Sequence, residues 1–158
     1  MGSTPAARTS FDMQKNDPAP RDADQTAGPR FIGGPKKVLL LEDEGAFTDV
    51  LRTSLEMNGY KVSSVVNGVE GLKLVMAHDF DIIVCDMMMP NLAGDMFYIA
   101  VERIKPHLCK RFIFISGYKG ESKIDQFIRK INGTLLWKPF DTADLLNTMQ
   151  LVMQTTGK

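Results

Sequence analysis

Several residue types and patterns are scarce in this sequence, and each scarcity closes off a class of protein. Among 158 residues there are two cysteines, Cys85 and Cys109, and two histidines, His78 and His107. No Cys-x-x-Cys pair or Cys/His array is present, which argues against a zinc module and against a disulfide framework. Cys85 stands in an apolar run and reads as a small buried hydrophobe, so the expected setting is reducing and cytoplasmic. An excess of charge is missing too, since 19 Lys plus Arg balance 19 Asp plus Glu. A chain without clustered positive charge lacks an electrostatic grip on nucleic acid or anionic lipid. No apolar stretch approaches the roughly 20 residues that cross a bilayer, and the N-terminus has no signal-peptide core. The sequence opens Met1-Gly2, but Ala6 stands where a myristoylation signal needs Ser or Thr. The expectation is therefore no nucleic-acid partner and no membrane partner.

What is present divides at about Lys36. Residues 1–35 hold five of the eight prolines and few large apolar residues, namely Phe11, Met13, Phe31 and Ile32. Such a stretch cannot bury enough surface to offset its ordering entropy, and it reads as a disordered N-terminal tail or linker ending at Gly33-Gly34-Pro35. Residues 36–154 read as one globular domain in which short apolar runs alternate with helical patterns. Strands are expected at 38–41, 60–66, 82–85, 112–115 and 135–137. Helices are expected after each. The first presents Phe47, Val50, Leu51 and Leu55 on one face, and the second Val69, Leu72, Val75 and Met76. The third spans about 92–104, the fourth about 121–131, and the last starts at Asp141 as N-cap and buries Leu145, Met149 and Val152. The unbroken apolar run Ile82-Ile83-Val84-Cys85 suits a parallel strand covered on both faces. Five βα units imply an α/β doubly wound parallel sheet with right-handed crossovers.

Polar residues able to do chemistry stand at the ends of four strands: Glu42 and Asp43, Asp86, Ser116, and Lys138. In an open α/β sheet, ligands bind outside the carboxyl ends of the strands. Taken singly, each residue has a bland explanation: Asp43 as a helix N-cap, Asp86 as a turn cap, Ser116-Gly117 as a strand exit, Lys138-Pro139 as a loop lysine. Taken together they would need four independent accidents on one rim. Three carboxylates converging there repel by up to ~4 kcal/mol per close pair at an effective dielectric near 20, so a cation is required. An all-oxygen cluster with open water positions suits Mg²⁺ rather than Zn²⁺. The remaining space suits a phosphoryl group touched by Lys138, the Ser116 hydroxyl and a backbone N–H.

The segments VLLLEDE, DIIVCDMMMP, FIFISG and LLWKPF, with 43, 30 and 22 residues separating Asp43, Asp86, Ser116 and Lys138, resemble the receiver domains of two-component response regulators. The resemblance covers residues 36 to about 154. It implies a flavodoxin-like (βα)5 three-layer sandwich with strand order 2-1-3-4-5. It implies that Asp86 is the phosphoacceptor, taking a phosphoryl group from a phosphohistidine on a histidine kinase or histidine phosphotransfer protein. Asp43, Asp86 and the Met88 backbone carbonyl would bind Mg²⁺ directly and Glu42 through water, while Ser116 and Lys138 would engage the phosphoryl oxygens. Lys138-Pro139 would be a cis peptide. No turnover of an external substrate is expected, and a homodimer is compatible with the family. The FISGY and KPF phrasing resembles receivers of hybrid kinases, with a stand-alone regulator as the other arrangement. His78 and His107 are expected at exposed helix or loop ends, poorly placed for a phosphorelay.

The sequence departs from the family pattern in two respects. Leu135 occupies the place of an aromatic switch, with Trp137 two residues on. Met88 and Tyr118, two residues beyond Asp86 and Ser116, are bulky and ill suited to orient water, which predicts a slowly hydrolysed phosphoaspartate. Two alternatives compete with the phosphoacceptor reading. One is a phosphorylation-independent interaction or dimerisation module. The other is a haloacid-dehalogenase-like phosphatase, disfavoured because Gly45 stands where the second Asp of its DxD motif belongs.

Overall fold

The computed structural model describes residue 31, residues 33–117 and residues 119–156. The tail expected over residues 1–35 thus lies largely outside the described residues, as does Tyr118. Five strands alternate with five α-helices: β1 (Lys37–Leu41), α1 (Gly45–Met57), β2 (Lys61–Val65), α2 (Gly68–Ala77), β3 (Ile82–Asp86), α3 (Gly94–Ile104), β4 (Phe112–Ser116), α4 (Ser122–Ile131), β5 (Thr134–Trp137) and α5 (Thr142–Thr156). A 3-10 turn, Pro106–Arg111, leads from α3 into β4. All strand pairs are parallel and the order is β2-β1-β3-β4-β5. The expected doubly wound sheet is what forms.

Strand alternation sorts the core into two layers. Leu39, Leu41, Ile83, Cys85, Phe112 and Phe114 face one side, where Val75 of α2, Phe97, Tyr98 and Val101 of α3 and Ile124 of α4 cover them. Val38, Leu40, Ile82, Val84, Ile113 and Ile115 face the other, under Leu51 and Leu55 of α1 and Leu145, Met149 and Val152 of α5. Both faces of the three inner strands are apolar because both are covered, which is why these strands lack a polar alternation.

Two helix faces differ from the sequence expectation. On α1, Leu51 and Leu55 are buried and Phe47 packs beside them, whereas Val50 is 60% exposed. On α2 the buried residues are Gly68, Gly71 and Val75, while Val69 and Met76 are exposed. Glycine faces the sheet because α2 lies close: a Cβ on Gly71 would come within 2.6 Å of Leu41 Cδ2. Small residues at that contact rotate the larger ones outward. The third helix also starts two residues later than its pattern suggests. Asn91 has φ 67°, and the Leu92 N–H donates to Pro90 O at 2.8 Å, so the chain is still turning there.

The start of α3 is pressed against the end of β3. A Cβ on Gly94 would lie 2.7 Å from Asp86 O and 2.9 Å from Met87 Cα, both backbone atoms that cannot swing away. Gly94→Ala should therefore cost about 1–3 kcal/mol by overpacking, read as a lower urea midpoint at unchanged m-value. An equally stable Gly94→Ala chain would mean that α3 can shift freely away from β3.

Candidate functional site

The strand ends carry the polar residues, and the parallel ladder continues past them. The Glu42 N–H donates to Val65 O at 3.1 Å, the Met87 N–H to Ile115 O at 2.9 Å, and the Lys138 N–H to Ser116 O at 2.8 Å. Each loop is thus stitched to the neighbouring strand for one residue beyond its own strand. The register pairs Leu41 with Cys85, which puts Glu42 beside Asp86 in the next row. Alternation aims Glu42, Asp86 and Lys138 toward the side of the sheet covered by α1 and α5. By the same alternation Ser116 lies toward the other side, and its register partner is Trp137.

Glu42, Asp86 and Ser116 form the buried polar set among the described residues, at 1%, 4% and 0% exposure. Asp43 is exposed beside them. Glu42, Asp43 and Asp86 each offer a carboxylate oxygen within 4.8 Å of the others. The Lys138 ammonium bridges the two buried carboxylates, 3.0 Å from Glu42 Oε2 and 2.9 Å from Asp86 Oδ2. The other Asp86 oxygen, Oδ1, accepts from the Met88 N–H at 2.9 Å, and Glu42 Oε1 accepts from the Glu44 N–H at 3.3 Å. The N-cap of α1 is Glu44 rather than Asp43, and it makes no side-chain capping bond. Helix capping therefore does not account for Asp43. Lys138-Pro139 is cis, as the resemblance implied.

Burial raises the Glu42 carboxyl to about 7, reinforced by its hydrogen bond to Asp86 and the charge there, with Lys138 pulling the other way. Burial alone would lower the Lys138 ammonium, but its bonds to Asp86 and Glu42 outweigh this and raise its pKa. The carboxylate crowding is thus met by one ammonium and a readily held proton, a second source of relief that the sequence did not disclose. Cys85 precedes Asp86 in β3 and faces the opposite layer; it is fully buried, and burial first and the neighbouring carboxylates second push its thiol well above the usual range.

Sequence reasoning put Glu42, Asp43, Asp86, Ser116 and Lys138 on one rim; the fold brings the three carboxylates and Lys138 together, while Ser116 closes the adjacent strand on the parity of the other layer. That reasoning missed Phe47, which was read only as a core residue. The Lys138 Nζ sits 4.7 Å from the centroid of the Phe47 ring. The hint was available in the spacing: Phe47 lies in the first turn of the helix that starts just after the acidic pair. Leu135 and Trp137 both pack on the side of α2, α3 and α4, each half-buried. His78 and His107 lie at the surface, as expected, with His107 Nε2 2.9 Å from Asp79 Oδ1.

This fold and crevice define a class, the flavodoxin-like α/β domains with an acidic site at the strand ends. Residues 38–150 match the family described as response regulator receiver domain, and the chain belongs to it. It is 42% identical over 123 residues to the probable transcriptional regulator ycf27 of Cyanidium caldarium, a match spanning 74% of this chain and 46% of that protein. It is 29% identical over 125 residues to the sensor kinase CckA of Brucella abortus (strain 2308), spanning 78% of this chain and 13% of the kinase. Among solved structures it is similar to the receiver domain of sensor histidine kinase PA1611 from Pseudomonas aeruginosa PAO1. That domain has a magnesium ion coordinated in its active-site cleft; the TM-score is 0.68 at 21% identity, covering 77% of this chain and 99% of that one. The chain thus matches only part of the length of these two longer relatives. Among the described residues, no helix is long and apolar enough to cross a membrane.

The raised Glu42 carboxyl has a pH signature. Its pKa in the fold lies above the ordinary 4.5, so its contribution to stability is fully present below pH 4.5 and is lost as pH rises through about 7. In divalent-free buffer, the Tm of the wild type should fall across this window relative to that of Glu42→Gln. Parallel Tm profiles for the two proteins would show that Glu42 titrates elsewhere.

Proposed function

We propose that the chain is a phosphoacceptor signalling module whose Asp86 carboxylate receives a phosphoryl group from a phosphohistidine on a histidine kinase or a histidine phosphotransfer protein. The observation that carries this reading is the bridged pair at the crevice: a buried aspartate held by a lysine, with two further carboxylates alongside. An Asp86 oxygen forms the bond to phosphorus as the N–P bond of the donor breaks, and the freed imidazole leaves with its electron pair. The product is an acyl phosphate on Asp86. Lys138 already lies on Asp86 Oδ2 and is placed to follow the phosphoryl oxygens, while Ser116 stands at the end of the adjacent strand to offer its hydroxyl.

The donor set fits a hard divalent cation: three carboxylates within 4.8 Å and no histidine or thiolate among them. Asp43, Asp86 and the Met88 backbone carbonyl would hold Mg²⁺ directly, with Glu42 acting through water. When bound, Mg²⁺ neutralises charge developing on the transferred phosphoryl group. The Glu42 proton would leave as the ion enters, so affinity rises with pH through about 7. Phosphorylation would change contacts with protein partners, and no turnover of an external substrate is part of this role.

Incubation with acetyl phosphate and Mg²⁺ should add one hydroxylamine-labile phosphoryl group to the intact mass. Asp86→Ala and a chelated sample should gain none. An unlabelled wild type would favour a phosphorylation-independent interaction module instead.

Met88 governs a second expectation. It follows Asp86 by two residues, its side chain is 47% exposed, and its thioether has no strong donor or acceptor to orient water. The phosphorylated wild type should decay slowly, and Met88→Glu or Met88→Asn should shorten the half-life severalfold, followed by loss of label after donor removal. An unchanged or longer half-life would remove Met88 as the cause.

A further inference from the structure

The Lys138 side chain has a flexible four-carbon stem, and its ammonium carries three donors. Two carboxylates account for one side of the charge. The Phe47 ring faces it at 4.7 Å from the centroid, within the range of a cation–π attraction. Phe47 itself is braced. Its ring meets Phe140 edge-on, with centroids 5.8 Å apart and planes at 72°, and both rings pack against the core layer under α1 and α5. Phe140 follows Lys138 by two residues, so the brace ties the first turn of α1 to the loop that carries the lysine. The backbone of that turn is anchored in turn by the Thr48 hydroxyl, which donates to Glu44 O at 3.0 Å.

The two kinds of partner differ in what chemistry does to them. In the phosphoacceptor reading, on which this inference rests, Asp86 changes its charge and shape when it gains a phosphoryl group, and Glu42 would turn toward the water shell of a bound metal. The ring does neither. Among the described residues it is a contact of the ammonium that the transfer does not alter chemically, and it lowers the number of stem conformations Lys138 samples when its carboxylate bonds are broken. It also covers one side of the charge, so the ammonium is less hydrated and acts more strongly on oxygen.

We propose that Phe47, braced by Phe140, is a positioning residue for phosphoryl transfer, holding the Lys138 ammonium over Asp86 through the face of its ring.

The test replaces Phe47 in the full chain with mono-, di- and trifluorophenylalanine. This series drains negative charge from the ring face while keeping its shape and fold. The rate of labelling by acetyl phosphate at saturating Mg²⁺ should fall stepwise, to a roughly three- to tenfold loss for the trifluoro ring. Phe47→Leu should be at least as slow, and Phe47→Trp should retain most of the wild-type rate. A separate reading needs neither metal nor phosphodonor. In the divalent-free chain, the Lys138 side-chain methylene protons next to the ammonium should be shifted upfield by the ring current, and Phe47→Leu should abolish that shift. A labelled wild type with a flat fluorination series would overturn the role of Phe47 while leaving the phosphoacceptor reading intact. Absence of the ring-current shift would overturn it as well. A wild type that takes no label overturns the phosphoacceptor reading, and the positioning role falls with it.

Discussion

The structure turns on one ammonium between two buried carboxylates. Lys138 reaches back across 96 residues of sequence to Glu42 and 52 to Asp86, joining the last strand to the first and third. Without it, two acidic groups at 1% and 4% exposure would face each other in a poorly hydrated crevice, and the interior does not tolerate unpaired charge. Breaking this bridge leaves a cost larger than the bridge itself contributes, because the groups it pairs remain buried. The bridge thus sets the charge balance of the crevice, which under the proposed function a divalent ion or a phosphoryl group would redistribute.

The geometry behind that bridge is a matter of parity. Side chains alternate across a strand, so Glu42, Asp86 and Lys138 meet only because each stands an even number of residues from a core residue under α1 and α5. Val38 and Leu40 precede Glu42 at this parity, Ile82 and Val84 precede Asp86, and Leu136 precedes Lys138. Inserting one residue at the end of any of these strands would send its polar group to the opposite layer. The fully apolar strands and the polar crevice are therefore two results of one pattern.

Much of this was legible in the sequence. The unbroken apolar runs gave the covered strands, and polar residues closing four of those runs gave the rim. The spacing of these residues gave the family. Helix faces were less legible. Periodicity assigned Val50, Val69 and Met76 to the interior, but whether a helical residue is buried depends on how closely its helix approaches the sheet. Gly71 sets that approach for α2, with Gly68 pressed instead against Leu92, and the cost of a Cβ at either is a tertiary fact. The raised Glu42 carboxyl was hidden for the same reason, since it depends on burial and on a lysine far away in sequence. Phe47 shows the remaining gap. An aromatic residue on an apolar face reads as core, and only coordinates reveal that the face of its ring meets a charge.

The ladder bonds beyond the strand ends bear on how long the crevice lasts. Glu42, Met87 and Lys138 are anchored by amides belonging to the same interstrand network as the centre of the sheet. A loop tied only by its own side chains could open alone while the rest stayed closed. Here the acidic crevice has no such local exit, and its dissolution requires the strands themselves to part. Any chemistry at the crevice thereby shares the persistence of the sheet itself.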